Sequence, residues 1–474
     1  MVYHAHCAGK ELVAKPDCVY TNSMSAIETI DTIAAVATPP GKGGVGIIRV
    51  SGPLATTIAK NILGHIPQPR RAEYLPFHDQ NQTIIDTGIV LYFQAPNSFT
   101  GEDVLEFQGH GGPVVLDMLL QVVIQHGARL AHAGEFSERA FLNDKLDLAQ
   151  AEAIADLIEA GSVQAARSAM RSLQGSFSEQ IHVLVEDITQ LRMYVEAAID
   201  FPEEEVDFLA DKKIAQNLRQ IEQALDAVFL GAEQGVLLRE GIRVVLVGQP
   251  NVGKSSLLNS LSQRESAIVT NIPGTTRDVV REEINVNGMP LHIIDTAGLR
   301  DSDDPVEQEG IKRTWQAIEQ ADAILYLLDE SMGENKLDAD VLDKLPKKIP
   351  VIWVHNKIDL QGMVEKVIYK KESQHIYLSA HSGQGLQLLR NTLSTLAGYQ
   401  QFGEGNFIAR RRHLEALQGA QTHLGQASTL LQQGQGELMA EELRLTQDCL
   451  GEITGEISSD DLLGRIFSSF CIGK

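Results

Sequence analysis

Gly248-Gln-Pro-Asn-Val-Gly-Lys-Ser255 stands directly after the apolar run Ile242-Arg-Val-Val-Leu-Val247 and directly before Ser256-Leu-Leu-Asn-Ser-Leu261. A strand, a glycine-bearing loop and a helix in that order read as a P-loop. The glycines let the backbone curl so that its N–H groups face a β-phosphate. Lys254 reaches the β- and γ-phosphates, and the Ser255 hydroxyl can ligate Mg²⁺. The chain is therefore expected to bind a nucleoside triphosphate through Asn251, Val252, Gly253, Lys254, Ser255 and Ser256.

The base is indicated further along. Asn356-Lys-Ile-Asp359 follows the strand-like Val351-Ile-Trp-Val-His355, and an aspartate there can accept two hydrogen bonds from guanine that adenine cannot supply. Asn356, Lys357 and Asp359 thus point to GTP, and Ser379, Ala380 and His381, after Ile376-Tyr-Leu378, would close over the base through backbone amides. Alone, four such residues are a polar turn; after a P-loop and Asp295-Thr296-Ala297-Gly298 they carry weight. Asp295 ends the apolar run Leu291-His-Ile-Ile294, where a carboxylate can hold Mg²⁺ through water while the Gly298 amide senses the γ-phosphate. Between these motifs lies Thr270-Asn271-Ile272-Pro273-Gly274-Thr275-Thr276. Thr276 is the candidate switch threonine completing Mg²⁺ coordination, with Thr275 the alternative.

After Gly298, where Ras-like proteins place a water-orienting glutamine, stands Leu299, which has no polar atom for that task. The acidic stretch from Asp301 to Glu309 offers a carboxylate instead, although a solvated loop accounts for most of it.

A chain of 474 residues has room for about three domains. The 40 Lys and Arg against 63 Asp and Glu give a net charge of −23, so the surface as a whole repels phosphate backbones. Any nucleic-acid contact must then be local. Arg410-Arg-Arg-His413 is one candidate, against the plainer reading of a solvated helix start. The cysteines at 7, 18, 449 and 471 show no paired metal-ligand spacing, which suits reduced thiols in the cytoplasm. No run approaches the roughly 18 apolar residues of a membrane span, so no membrane partner is expected. The terminal Cys-Ile-Gly-Lys474 is a poor prenylation box.

The fold class expected is multidomain, α/β and α+β. Residues 1–24 form an extension, either disordered or the product of a mis-assigned start. Residues 25–143 mix strands (Thr32–Ala37, Val45–Val50, Ile84–Phe93, Val104–Phe107) with a helix from Val114 to His126, an α+β domain. Gly41-Lys-Gly-Gly-Val-Gly46 precedes a strand rather than opening a helix, so a tight turn is expected there and not a dinucleotide loop. From Ser137 to Phe201 helical spacing takes over, with no proline between Pro113 and Pro202. Lys213–Leu238 and Arg410–Leu450 continue it. Residues 144–235 and 405–474 then read as two parts of one helical domain, with the nucleotide domain, 236–404, inserted between them. Two separate helical domains are the alternative.

Several motifs together resemble the MnmE family of tRNA modification GTPases, also called TrmE, over residues 28–474. They are Ala37-Thr-Pro-Pro-Gly-Lys-Gly-Gly-Val-Gly-Ile-Ile-Arg49, Asn97-Ser-Phe-Thr-Gly-Glu-Asp103, Gly134-Glu-Phe-Ser-Glu-Arg-Ala-Phe-Leu-Asn-Asp-Lys145, the nucleotide motifs and Phe470-Cys-Ile-Gly-Lys474. The resemblance implies a homodimer whose N-terminal domain binds 5-formyl-tetrahydrofolate or a related one-carbon folate. It also implies an FAD-containing partner, MnmG, with which the family adds aminomethyl or carboxymethylaminomethyl groups to C5 of the wobble uridine of tRNA. On the matching positions Arg49, Glu106, Lys145 and Lys474 would line the folate site, and Cys471 would lie near the chemistry. The resemblance further implies that the nucleotide domains dimerise around K⁺, with Asn251 and the carbonyls of Thr270, Ile272 and Thr275 as its ligands. A cation there supplies the positive charge that an arginine finger supplies elsewhere. Glu307 matches the residue that positions water. A ribosome-assembly GTPase switch is the alternative function; an assembly factor would more often carry an RNA-binding module and basic patches.

Overall fold

The computed structural model describes residues 31–200, 212–262, 280–295, 318–332, 346, 348–370, 373–399 and 407–473. The described residues divide into two compact units, the first holding 31–98, 102–131 and Gly473, the second holding 99–101 and those between 132 and 472.

The first unit is built on a sheet of β1 (Ile33–Val36), β2 (Gly43–Ser51), β3 (Glu73–His78), β4 (Ile84–Phe93), β5 (Val104–Gly111) and β6 (Arg129–Leu130), in the order β3-β4-β5-β2-β1-β6. Helices α1 (Ala55–Leu63) and α2 (Pro113–Gln125) cover it with one apolar core, in which Ile48, Val50, Ile58, Phe77, Phe107 and Val123 are fully buried. The Phe77 and Phe107 rings meet edge to face at 5.4 Å, a favoured aromatic geometry. The four strands expected from alternation are present, and the structure adds α1 and β3 between them. The glycine run is not the tight turn expected: Gly43 to Gly46 belong to β2, with a register irregularity opposite Gly109 and Gly111. Close packing accounts for the glycines within that strand pair. A Cβ on Gly46 would meet Leu116 at 2.7 Å, and one on Gly111 would meet the Gly43 carbonyl at 2.7 Å.

In the second unit the helical stretch is not continuous. It is divided into α3 (Glu135–Leu142), α4 (Leu148–Glu159), α5 (Val163–Leu173) and α6 (Ser176–Asp200). Asp147 and Gln150 form a reciprocal capping box that starts α4, and the Ser162 hydroxyl accepts the Ala165 N–H to start α5. Gly175, at φ 90°, takes the left-handed turn before α6. Helix α7 (Lys212–Glu240) follows, and after the nucleotide segment come α10 (Arg411–Gln432), α11 (Gly436–Thr454) and α12 (Asp460–Ser468).

The spacing of buried positions explains how the long helices pack. Phe177, Ile181, Leu184, Ile188, Leu191 and Val195 on α6, and Ile214, Leu218, Ile221, Leu225, Val228 and Ala232 on α7, alternate steps of four and three. That spacing makes a lengthwise apolar seam. Leu417, Ala420 and Leu424 of α10 and Met439, Leu443 and Leu450 of α11 complete the same core. Helices from either side of the nucleotide segment therefore share one interior.

The nucleotide segment is a sheet of β7 (Ile242–Gly248), β8 (Val280–Val286), β9 (Met289–Asp295), β10 (Ala323–Asp329), β11 (Val351–Asn356), β12 (Lys366–Lys370) and β13 (Ser373–Tyr377), with α8 (Lys254–Ser262) and α9 (Leu386–Leu396). Its order is β12-β13-β11-β10-β7-β9-β8. The inner strands β9, β7, β10, β11 and β13 are parallel to their inner neighbours, while β8 and β12 are antiparallel edges. Val244, Leu246, Leu325 and Val354 are buried in its centre, the continuous apolar runs of strands covered on both faces.

Candidate nucleotide site

The P-loop leaves the carboxyl end of β7 and leads into the first turn of α8, so backbone N–H groups converge where an anion would sit. Glycine is required at both loop glycines. Gly248, at φ 157°, would place a Cβ 2.8 Å from the Leu327 carbonyl. Gly253, at φ 101°, would place one 2.3 Å from Asn356 Nδ2. Asn251 takes φ 64°, left-handed, which asparagine tolerates. Val252 is buried, whereas Ser255 and Ser256 are exposed at the start of α8. Lys254 Nζ donates to the Gly248 carbonyl at 2.6 Å and the Gln249 carbonyl at 3.1 Å, so the ammonium already lies over the loop's own backbone.

The base-indicating residues meet this loop. Asn356, 2% exposed at the end of β11, donates from Nδ2 to the Val252 carbonyl at 2.8 Å, and its Oδ1 accepts the Ala380 N–H at 2.9 Å. Lys357, at φ 67°, donates from Nζ to the Asn251 carbonyl at 2.8 Å and to Asp329 Oδ2 at 2.6 Å. Asp359 is exposed in a short 3₁₀ turn, Ile358–Gln361. Ser379 is fully buried and its hydroxyl accepts the Ser382 N–H, and the Ala380 carbonyl accepts the Ser260 hydroxyl of α8 at 2.6 Å. His381 is exposed. Residues that are a hundred positions apart in sequence thus close one polar ring around the P-loop. Asp295 closes β9 in register with Leu246. Thr270, Asn271, Ile272, Pro273, Gly274, Thr275, Thr276, Thr296, Ala297, Gly298, Leu299, Glu307 and Lys474 lie outside the described residues, as do residues 1–24.

Asp329 is the functional neighbour that sequence reasoning missed. Burial pushes its carboxyl up, but hydrogen bonds from Lys357 and Ser331 outweigh that and hold it below the usual carboxylate range. It is therefore the counter-charge that fixes Lys357 beside the P-loop. The available signal was the run Ala323-Ile-Leu-Tyr-Leu-Leu-Asp329, an apolar strand ending in aspartate just as the strand before Asp295 does.

In the first unit Arg49 on β2 and Glu106 on β5 stand directly opposite, and Arg49 Nε donates to Glu106 Oε1 at 2.9 Å. In the second unit Lys145 is exposed and its stem passes Gly101. Cys471 is exposed, and its carbonyl accepts the Gly134 N–H at 3.4 Å beside an Ala133–Ile472 bridge.

The basic run at 410–413 is neither an open patch nor a solvated helix start. Arg412 pairs with both Glu152 oxygens at 2.8 Å, and Arg410 Nη2 reaches Asp156 Oδ1 at 2.8 Å. Arg411, which is exposed, pairs with Glu240. The buried Glu152 and Asp156 draw the cations inward, which a sequence window around 410 cannot show.

Two family models match the chain: the MnmE helical domain over residues 148–471, and the GTP-binding protein TrmE N-terminus over residues 32–145. The tRNA modification GTPase MnmE of Mannheimia succiniciproducens is 61% identical over 452 residues, covering 94% of this chain and 100% of that protein. That of Proteus mirabilis is 58% identical over 454 residues, with 94% and 100% covered. Among solved structures, an Aquifex aeolicus Era variant bound to GDP·AlF4⁻ is similar at 27% identity over 38% of this chain and 66% of that one, with a TM-score of 0.25.

Proposed function

The chain belongs to the MnmE family of tRNA modification GTPases, and from that premise we propose how its residues serve that activity. The protein is a GTPase acting in tRNA modification. No helix among the described residues is long and apolar enough to cross a membrane. The single observation that carries the site assignment is the ring in which Asn356 and Lys357 hold the P-loop carbonyls of Val252 and Asn251.

That ring fits a guanine nucleotide. The Gly253 position has no room for a side chain, and Lys254 lies over the loop backbone that leads into α8. The loop N–H groups and Lys254 hold the β- and γ-phosphates, Ser255 with Thr276 holds Mg²⁺, and Asp359 reads the base, with Ser379, Ala380 and His381 closing over it. Bound Mg²⁺ neutralises charge on the phosphates during hydrolysis. Glu307 positions the attacking water in place of the glutamine that Leu299 replaces. Asn251 with the carbonyls of Thr270, Ile272 and Thr275 holds K⁺. The remaining nucleotide contacts are those of Asn271, Pro273, Gly274, Asp295, Thr296, Ala297 and Gly298.

Residues 25–143 form the one-carbon folate domain and the dimerisation surface of a homodimer. The Arg49–Glu106 pair supports this reading: a guanidinium tied to a carboxylate across two strands is a fixed polar feature able to meet a folate's own amide and carboxylate groups. Lys145, Lys474 and Cys471 would complete that site. The nucleotide domain, 236–404, is inserted in a helical domain made of 144–235 and 405–474. With MnmG the cytoplasmic protein would install aminomethyl or carboxymethylaminomethyl groups at C5 of the wobble uridine.

Nucleoside mass spectrometry of bulk tRNA from cells lacking the protein, with and without the gene restored, tests the function. Loss of the C5-aminomethyl-type uridines and their return on restoration is the expected result; an unchanged profile leaves only the GTPase. Within the site, Glu307→Ala is expected to lower GTP turnover severely with nearly unchanged nucleotide affinity, and K⁺ to stimulate turnover where Na⁺ does not. Normal turnover, or a large loss of binding, would refute the role given to Glu307.

A further inference from the structure

Behind the base-reading strand ends, side chains from two strands and one turn form a single hydrogen-bonded chain. Glu330 Oε2 lies 2.7 Å from His355 Nδ1, His355 Nε2 lies 3.0 Å from His375 Nδ1, and His375 Nε2 lies 3.1 Å from Ser373 Oγ. The Ser373 hydroxyl donates its own proton to the Lys370 carbonyl at 2.8 Å, so towards His375 it accepts. His375 Nε2 must then carry a proton. An ionised Glu330 only accepts, so His355 Nδ1 carries another. The contact between the two rings needs one more, on either nitrogen. Three protons on two imidazoles amount to one positive charge, and the Glu330 carboxylate faces it.

The other groups around the pair are accounted for. The Tyr377 ring stacks on His355 at 4.2 Å, with Lys366 Nζ 4.7 Å above that ring on the adjoining strand β12. Trp353 stacks on His375. Burial, then the charges of Lys370 and His355, pushes His375 below the ordinary histidine range, and the Glu330 carboxylate contacts His355 rather than His375. Asp329 next to Glu330 is already engaged by Lys357. Gln361 donates to the Glu330 carbonyl and holds that turn.

The placement gives the chain a consequence. β10 ends at Asp329, β11 ends at Asn356 one residue after His355, and β13 leads through Tyr377 and Leu378 to Ser379 and Ala380. The hydrogen-bonded chain therefore crosses the strands whose ends hold Lys357, the P-loop and the base-closing amides. We propose that His355 is a positioning residue for the guanine base, and that it works while one proton is shared between His355 and His375 to hold these strand ends together. The proposal rests on the guanine reading of Asn356 to Asp359. When the proton is lost, the chain has one N–H too few. Then two lone pairs face each other between the rings, or Glu330 loses its donor, or the Ser373 hydroxyl turns to donate to His375 Nε2 and leaves the Lys370 carbonyl without it. Nucleotide-bound protein favours the protonated pair, so base affinity is full below the pair's titration and falls as pH rises through it, by about fivefold for one net hydrogen bond.

Calorimetric GDP and ADP affinities from pH 5.5 to 8.5, for the full-length protein and for His355→Gln and His375→Gln, test this. Dividing wild-type by variant GDP affinity cancels the phosphate's own titration. The expected ratio is about fivefold at the acid end and near one at the alkaline end; a ratio flat across the range overturns the proposal. Absence of any preference for GDP over ADP would instead remove the base reading itself. A measurement on the wild type does not depend on how the variants fold: imidazole ¹⁵N spectra should show three of the four ring nitrogens of His355 and His375 protonated at the acid end. Two neutral rings throughout would equally overturn it.

Discussion

At the residue scale, the site is governed by a few positions where no other side chain fits, and Gly253 is the sharpest of them. Its left-handed φ of 101° would strain alanine, and the added Cβ would stand 2.3 Å from Asn356 Nδ2. The left-handed conformation costs alanine roughly 1–2 kcal/mol, and losing the Asn356 bond to Val252 costs about 1 kcal/mol more. Gly253→Ala is thus expected to destabilise the nucleotide segment by about 2–3 kcal/mol and to weaken GDP binding at least tenfold, because Asn356 also holds the Ala380 amide. Urea unfolding and a fluorescent-GDP titration measure the two effects. Unchanged values for both would mean that Asn356 moves aside freely.

At the element scale, the start of α10 is set by charge rather than by apolar pattern. Glu152 on α4, 1% exposed, meets Arg410, Arg412 and His413. Burial pushes its carboxyl up, but His413 and Arg412 outweigh this and hold it well below the usual carboxylate range. His413 Nδ1 accepts the Arg410 N–H, which leaves its Nε2 proton facing Glu152. Glu152→Gln would leave the Arg412 guanidinium without its buried counter-charge, while Arg410 keeps Asp156, a loss of roughly 3–5 kcal/mol. Because the folded pKa is depressed, the carboxylate's contribution is complete above the unfolded value, about 4.3, and disappears as pH falls through the lower folded value. Wild-type stability should therefore fall more steeply in acid than that of Glu152→Gln, as urea midpoints at pH 3 to 7 would show; parallel curves would mean Glu152 is not ionised in the fold. The same cluster shows where sequence reading reaches its limit. The P-loop and Asn356-Lys-Ile-Asp359 were legible because their chemistry lies within a few consecutive residues and their turns need glycine or asparagine. Arg410 to Arg412 and the His355–His375 pair acquire their roles from partners 20 to 260 positions away. Likewise the helix breaks at Asp147, Ser162 and Gly175 depend on caps that the apolar period runs straight through.

At the scale of the whole molecule, the decisive relation is between the chain that enters the nucleotide segment and the chain that leaves it. Arg411 Nε donates to Glu240 Oε2 at 2.8 Å, and a Cβ on Gly235 would stand 2.6 Å from the Phe407 carbonyl. The returning chain therefore lies along the end of α7. The core it joins needs both sides: Phe177 stacks on Phe407 at 4.4 Å, and the seams of α6 and α7 are covered by α10 and α11. Replacing residues 241–406 with a short glycine linker should consequently leave a helical protein that unfolds cooperatively. Ending the chain after residue 399 should instead expose Ile188, Leu191, Ile221 and Leu225 to water and drive aggregation. Circular dichroism with sizing chromatography distinguishes the two. If the truncated chain stays monomeric and as helical as the excised one, the helices before and after the nucleotide segment do not depend on each other. Two separate helical domains would then be the correct architecture.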